Sequence, residues 1–162
     1  MREMYIATHG RYAEGIVSGL NLLIGEDHGV TPVCAYCGDI GSTAELAVRF
    51  EDIATRAADK GHELVLFTDM SGGSVNNTAV QMLIRHPHVH VISGANLIML
   101  MEFCMSEHSD TALRLQDAII AAKEAMQYMN DLPEIISART ATPLVIQTHK
   151  DKDDFFSEEN GL

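Results

Sequence analysis

The amino-acid sequence predicts an α/β fold: a mostly parallel, four-stranded, doubly wound sheet with helices on both faces. Short apolar runs alternate with longer stretches whose apolar residues recur every three or four positions, and such alternation is typical of a parallel sheet. Residues 64–67 are continuously apolar, as expected of a strand buried on both faces. With 46% hydrophobic residues, the 162-residue chain can bury a core of its own.

The first three elements are predicted to be a strand, a helix and a second strand. Residues 5–7 are apolar and run into a turn at residues 8–10. Apolar residues at helical spacing over 13–24 predict an amphipathic helix, which Gly25 ends. Residues 33–37 predict the second strand.

A second helix follows the glycine-containing turn after this strand. Ser42 or Thr43 is suited to cap it, and Glu45 falls in its first turn. Apolar residues between positions 46 and 57 supply its buried face, and Gly61 closes it. The apolar run described above is then the third strand.

The rest of the folded domain repeats this pattern and ends in two consecutive helices. The predicted elements are a helix at 76–85, a strand at 89–92 and helices at 96–107 and 111–128.

The periodicity ends near residue 130. We therefore expect one domain over residues 1–130 and a C-terminal extension, partly mobile, over residues 131–162. Two prolines and a charged stretch interrupt the extension, although residues 144–147 have the composition of a further strand.

Charge and composition exclude several classes of function. Asp and Glu number 23 against 11 Lys and Arg, which gives a net charge of −12 and disfavours nucleic acid as a partner. No apolar run approaches the roughly 18 residues of a membrane span, and the N-terminus lacks a secretory signal. Three cysteines without an export signal fit reduced thiols and a cytoplasmic location.

Two candidate catalytic residues stand at the ends of predicted strands. His9 follows the first strand and Asp69 follows the third, so the two side chains meet if these strands are neighbours. A carboxylate bonded to one ring nitrogen fixes the tautomer and leaves the other nitrogen free as a nucleophile or base. A purely structural role for His9 is the alternative.

A glycine-rich turn after Asp69 has the composition of a phosphate-binding loop. It contains Ser71, Gly72, Gly73 and Ser74 and precedes a predicted helix, whose first amide groups favour an anion. Such turns also cap helices without any ligand, and the lysine of a P-loop is missing, which disfavours ATP. Together with the histidine and aspartate, the turn indicates a histidine that carries a phosphoryl group.

Three segments, at residues 8–10, 66–77 and 93–100, resemble the IIA component of the mannose family of the bacterial phosphoenolpyruvate-dependent sugar phosphotransferase system. The resemblance covers roughly residues 5–130. It implies a phosphotransferase without a cofactor or metal. The histidine-containing phosphocarrier protein would donate the phosphoryl group, and a IIB component would receive it for sugar uptake. The membrane would be involved only through the transporter components.

The resemblance also implies individual residue roles. His9 would be phosphorylated on Nε2, Asp69 would bind Nδ1, and Ser74 with its neighbouring amides would receive the phosphate. Two positions depart from the family, because Val75 and Ile98 stand where proline is usual. The family further implies a homodimer that exchanges an antiparallel C-terminal strand, for which residues 125–129 or 144–147 are candidates.

Other functions remain open at this point. The same domain serves as the phosphotransfer subunit of a dihydroxyacetone kinase system, or as a regulatory module controlled by phosphorylation. A metal- or thiol-dependent binding protein would instead use Cys34 and Cys37, or the histidines of residues 86–90. For the cysteines, burial in the core is the favoured interpretation.

Overall fold

The computed structural model describes residues 1–141 of the chain. The chain divides into two compact units, Met1–Met126 and a second unit that begins at Gln127. The predicted strand at residues 144–147 and the charged stretch after it lie outside the described residues. The division into residues 1–130 and 131–162 stays a prediction.

The first unit is built on one four-stranded sheet in which every pair of neighbours is parallel. Its strands are β1 (Arg2–His9), β2 (Val30–Ala35), β3 (Glu63–Thr68) and β4 (Val89–Ser93), in the order β2-β1-β3-β4. This confirms the predicted sheet. Strand β2 lies on one side of β1, and the chain then crosses over to place β3 on the other side of β1. The strand order therefore reverses between β1 and β3. In parallel α/β sheets, ligands bind at such a reversal.

Helices cover both faces of the sheet, as predicted. The α-helices of the first unit are α1 (Tyr12–Ile24), α2 (Thr43–Asp59), α3 (Ser74–Arg85), α4 (Leu97–Met105) and α5 (Thr111–Glu124), and the described part of the second unit contains α6 (Pro133–Ala141). Residues of α1, α4 and α5 share one apolar core with the sheet, and residues of α2 and α3 form the core on the opposite face. Both cores include fully buried residues of β3, which explains its continuous apolar run.

Helix starts follow the local signals that the sequence contains. Ser42 is the N-cap of α2: its Oγ accepts a hydrogen bond from the Glu45 amide at 3.2 Å and donates to the Glu45 carboxylate at 3.1 Å. The first of these bonds satisfies one of the backbone donors that a helix start leaves open. The Asp110 carboxylate caps α5 in the same way by accepting from the Leu113 amide at 2.9 Å.

Several predicted element bounds differ from those in the structure. Strand β2 ends at Ala35 rather than at residue 37, because Tyr36 adopts a left-handed backbone with φ of 60°. Helix α5 ends at Glu124, and residues 125–129 form no strand within the described chain. The segment after residue 131, predicted to be irregular, contains α6, with Pro133 as its first residue, where no amide donor is needed.

None of the helices within residues 1–141 combines the length and the hydrophobicity that a bilayer crossing requires. Strand exchange in a homodimer stays a prediction.

Candidate functional site

The predicted meeting of His9 and Asp69 occurs at the carboxyl edge of the sheet. His9 is the last residue of β1 and Asp69 directly follows β3, and these strands are neighbours with Ala7 opposite Thr68. One carboxylate oxygen, Oδ2 of Asp69, lies 2.7 Å from His9 Nδ1 and accepts the His9 amide at 2.8 Å. The aspartate thus fixes both the ring and the backbone of His9.

The electrostatics keep this carboxylate ionised. Burial of Asp69 opposes its charge, but hydrogen bonds from the His9 amide, the His9 ring and the Met70 amide outweigh it, so the pKa of Asp69 lies below its usual value. An ionised carboxylate only accepts hydrogen bonds, so Nδ1 of His9 must carry the proton. In the neutral ring, Nε2 then holds the free lone pair.

Nε2 of His9 points toward the start of helix α3. The nearest partner is Oγ of Ser74, the first residue of that helix, at 3.1 Å. The N-cap residue is Gly73, which supplies no capping side chain. The first amides of α3, with the positive end of its dipole, therefore face the region in front of Nε2 and favour an anion there.

The two glycines of this turn are required by its geometry. A Cβ on Gly73 would lie 2.8 Å from Cγ of Met70 and 3.2 Å from Cε1 of His9, so only glycine lets the turn approach the ring this closely. Gly72 has φ of +78°, a conformation that L side chains rarely adopt. Ser71 is exposed, and its hydroxyl has no hydrogen-bond partner among the described residues.

Buried polar side chains hold the turn against the sheet. Asn76 is buried and donates from Nδ2 to Oγ1 of Thr68 at 2.8 Å, and Thr68 in turn donates to the carbonyl of Ile92 at 3.2 Å. Asn76 Oδ1 also accepts from the Gly72 amide at 3.4 Å. The position of the turn is therefore coupled to β3 and β4.

Sequence reasoning missed one residue of the site, Tyr36. Its hydroxyl donates to Ser74 Oγ at 2.6 Å, and its ring centroid lies 5.5 Å from that of His9. Tyr36 follows Ala35, which is the register partner of His9 in β2. A correct end for β2 would have placed Tyr36 on the same edge of the sheet, but residues 33–37 read as one strand.

Val75 and Ile98, which stand where proline is usual in the family, are each the second residue of a helix. Val75 is fully buried in α3, and Ile98 is partly exposed in α4. A proline disfavours helical backbone in the residue before it. Val75 therefore allows helix α3 to begin at Ser74.

The alternative constellations do not form comparable sites. Cys34 and Cys37 are half-buried and line a cavity of about 750 Å³ with Arg11 and Glu14. Cys34 also packs against the apolar core, in partial agreement with the predicted burial, whereas Cys37 belongs to neither core. Desolvation raises the pKa of the Cys34 thiol, which disfavours a reactive thiolate. The three histidines of residues 86–90 have separate partners: Glu51 for His86, the Ala54 carbonyl for His88 and Glu63 for His90. Within residues 1–141 no group of three or more metal-ligating side chains converges.

The fold and the site together define a class of protein: a parallel α/β domain with a carboxylate-held histidine where the strand order of its sheet reverses. Residues 3–120 match the family described as PTS system fructose IIA component. The chain belongs to this family, the mannose- and fructose-type IIA components of the sugar phosphotransferase system (PTS). Members act as phosphotransferase components of sugar uptake systems.

Individual relatives agree with this assignment. The sorbose-specific EIIA component of Klebsiella pneumoniae is 29% identical over 104 residues, which are 64% of this chain and 73% of that protein. The mannose-specific EIIAB component of Escherichia coli K12 is 29% identical over 105 residues, or 65% of this chain, but only 32% of that longer protein.

Solved structures share the fold. A protein from Klebsiella pneumoniae described as a phosphoenolpyruvate-dependent sugar PTS permease superimposes with a TM-score of 0.71 at 32% identity, over 80% of this chain and 92% of that one. The mannose/sorbose-specific IIA subunit from Enterococcus faecalis gives a TM-score of 0.69 at 20% identity, over 79% and 95% of the two chains.

Proposed function

We propose that this chain is a phosphocarrier that accepts a phosphoryl group on Nε2 of His9 and passes it on for sugar uptake. The donor is the histidine-containing phosphocarrier protein and the recipient is a IIB component. One observation carries the proposal: the ionised Asp69 holds Nδ1 of His9 at 2.7 Å, while Nε2 faces the open start of helix α3.

The chemistry follows from this arrangement. The Nε2 lone pair attacks the phosphorus of the donor, an N–P bond forms, and the bond from phosphorus to the donor atom breaks with its electron pair leaving on the donor. The proton on Nδ1 stays in place, so the phosphorylated ring carries a positive charge that Asp69 offsets. Ser71, Gly72, Gly73 and Ser74 surround the position of the phosphoryl oxygens and supply donors to them. Transfer to the recipient is the reverse sequence.

The partners are proposed from the family and from charge. The mannose-specific EIIAB relative carries A and B components in one chain, which supports a IIB protein as the recipient. A net charge of −12 favours a basic donor surface. We place the reaction in the cytoplasm, with a homodimer as the working form and contact to the membrane only through the transporter proteins.

The first test is phosphorylation of the His9→Ala variant. Purified chain, phosphoenolpyruvate and the two general PTS proteins should give a phosphoprotein with the natural chain and none with the variant. His62→Ala is the matched control, because that histidine also pairs with a carboxylate, Glu3 at 3.1 Å, but lies at the other end of β1. Thermal unfolding should show that both variants are folded.

The nature of the label gives a second readout of the same experiment. A phosphoramidate on histidine hydrolyses in acid and survives alkali, whereas a serine phosphate is stable in acid. Full labelling of His9→Ala, or an acid-stable label, would contradict the assignment. Label that moves to a dihydroxyacetone kinase rather than to a IIB protein would instead support the alternative relay.

A further inference from the structure

Tyr36 occupies an unusual backbone position beside His9. It is the only residue other than glycine with positive φ, at 60°, in the described part of the chain. The residue before it, Ala35, ends β2 and accepts a hydrogen bond from the Gly10 amide at 2.9 Å. This bond ties the turn after His9 to the turn at Tyr36, and the left-handed conformation directs the tyrosine across the front of the sheet edge.

The hydroxyl groups around Tyr36 form a directed chain. Tyr36 donates to Ser74 Oγ at 2.6 Å and lies 3.0 Å from Thr43 Oγ1. A tyrosine hydroxyl has one proton, so its bond to Thr43 is one that it accepts. Ser74 Oγ accepts the hydrogen bond from Tyr36. Because Nε2 of His9 carries a lone pair and no proton, the Ser74 hydroxyl is the donor in its 3.1 Å bond to Nε2.

We propose that Tyr36 is a positioning residue for phosphoryl transfer at His9, acting through the hydroxyl of Ser74. The proposal rests on the function proposed above and adds a residue to it. Because Ser74 Oγ accepts the hydrogen bond from Tyr36, the Ser74 hydroxyl cannot donate back to Tyr36. Its one favourable orientation is toward Nε2 and the phosphoryl group that arrives there.

This orientation matters during the transfer. While the Nε2 lone pair forms the N–P bond, the Ser74 proton loses its acceptor on the ring and turns to an oxygen of the phosphoryl group. No proton is gained or lost, and the Tyr36 hydroxyl keeps donating to Ser74 Oγ throughout. Donation from Tyr36 strengthens the outgoing bond of Ser74, because hydrogen bonds in a chain polarise one another.

The decisive variant is Tyr36→Phe, which keeps the ring beside His9 and removes only the hydroxyl. We expect the maximal rate of phosphoryl transfer to fall about 3- to 10-fold, the usual effect of one hydrogen bond, with an unchanged KM for the phosphocarrier protein. Tyr12→Phe is the matched control. That tyrosine lies on α1, and its hydroxyl donates to the Ala95 carbonyl at 3.3 Å, away from Ser74.

A double-variant cycle separates positioning from a structural role. If Tyr36 acts through Ser74, adding Tyr36→Phe to a Ser74→Ala chain should cause no further loss of rate. A full additional loss in that background would overturn the proposal, as would a Tyr36→Phe rate equal to that of the natural chain. A raised KM with an unchanged maximal rate would show instead that the half-exposed tyrosine contacts the donor protein.

The outcome is distinguishable from failure of the proposed function. If the natural chain accepts no phosphoryl group, or if His9→Ala accepts it fully, the phosphocarrier assignment itself is wrong. If the natural chain is phosphorylated on His9 and Tyr36→Phe behaves identically, only the role of Tyr36 is overturned.

Discussion

At the scale of single residues, the carboxylate of Asp69 decides which nitrogen of His9 carries the proton and which keeps its lone pair. Replacement by asparagine keeps the size but allows an amide N–H to face Nδ1, which favours the tautomer with its proton on Nε2. By analogy with the aspartate of catalytic triads, we expect Asp69→Asn to lower the transfer rate about 10²- to 10⁴-fold. Rapid-quench measurement of phosphorylated chain checks this, and a rate within a few-fold of the natural one would show that Asp69 is structural.

The pH dependence of the free energy of unfolding of the same variant is an independent test of the Asp69 interaction. The folded-state pKa of Asp69 is lowered, so its contribution to stability is present above the unfolded pKa, ordinarily about 3.9. That contribution is lost as the pH falls through the lowered value in the folded state. The difference in unfolding free energy between the natural chain and Asp69→Asn should therefore narrow as the pH falls below about 4.

The residues of the site differ in how far the sequence could reveal them. His9, Asp69 and the serine–glycine turn could be predicted because strand ends and glycine-rich turns have local signals. Tyr36 could not, because a left-handed tyrosine has no sequence signature and the apolar run around it extends past the true end of β2. The hydrogen bond of Tyr36 to Ser74 depends on tertiary structure, joining residues 38 positions apart.

At the scale of secondary-structure elements, the helix caps offer a test of stability away from the site. Asp110→Ala removes the carboxylate that caps α5 at 2.9 Å, and we expect a loss of about 1 kcal/mol in the free energy of unfolding. Asp110→Asn should restore nearly all of it, since asparagine caps as well as aspartate. Chemical denaturation checks both values, and an alanine variant as stable as the natural chain would show that this cap contributes nothing.

The elements that the sequence predicted best are those with a buried face. Helices α1 and α2 place residues such as Leu20 and Phe50 fully in the core at the spacing that indicated them. The sequence does not predict helix α6, because none of its residues is buried and it therefore has no apolar stripe. Pro133 suggests a break in the sequence pattern, whereas in the structure it begins the helix. Element ends were less predictable because hydrogen bonds at turns, not periodicity, determine them.

At the scale of the whole molecule, the alternation of strands and helices predicted the fold class, but it could not fix the order of the strands. From the sequence, His9 and Asp69 are expected to meet only if β1 and β3 are neighbouring strands. The structure meets that condition and thereby brings His9 and Asp69 together from positions 60 residues apart. The predicted homodimer involves a second copy of the chain and stays a prediction.

The net charge of −12 is itself a property of the whole molecule with a kinetic consequence. If the donor is the proposed phosphocarrier protein with a basic surface, long-range attraction to this acidic chain should speed their encounter, and salt should screen that attraction over a Debye length of about 8–10 Å. Raising the ionic strength from about 0.05 to 0.5 M should therefore lower the second-order rate of phosphoryl transfer by about tenfold or more. The maximal rate at saturating donor should change little, since the step at His9 involves groups that contact one another directly.

A small phosphoryl donor distinguishes an effect of salt on the encounter between the two proteins from an effect of salt on the site itself. Phosphoramidate has no extended charged surface, so its rate of phosphorylating His9 should vary little over the same range of salt. If transfer from the protein donor is equally insensitive, the acidic surface does not steer the encounter, and contacts near His9 must determine recognition. If both rates fall together, salt acts on the His9–Asp69 pair itself, and the stability of that pair rather than the charge of the molecule limits transfer.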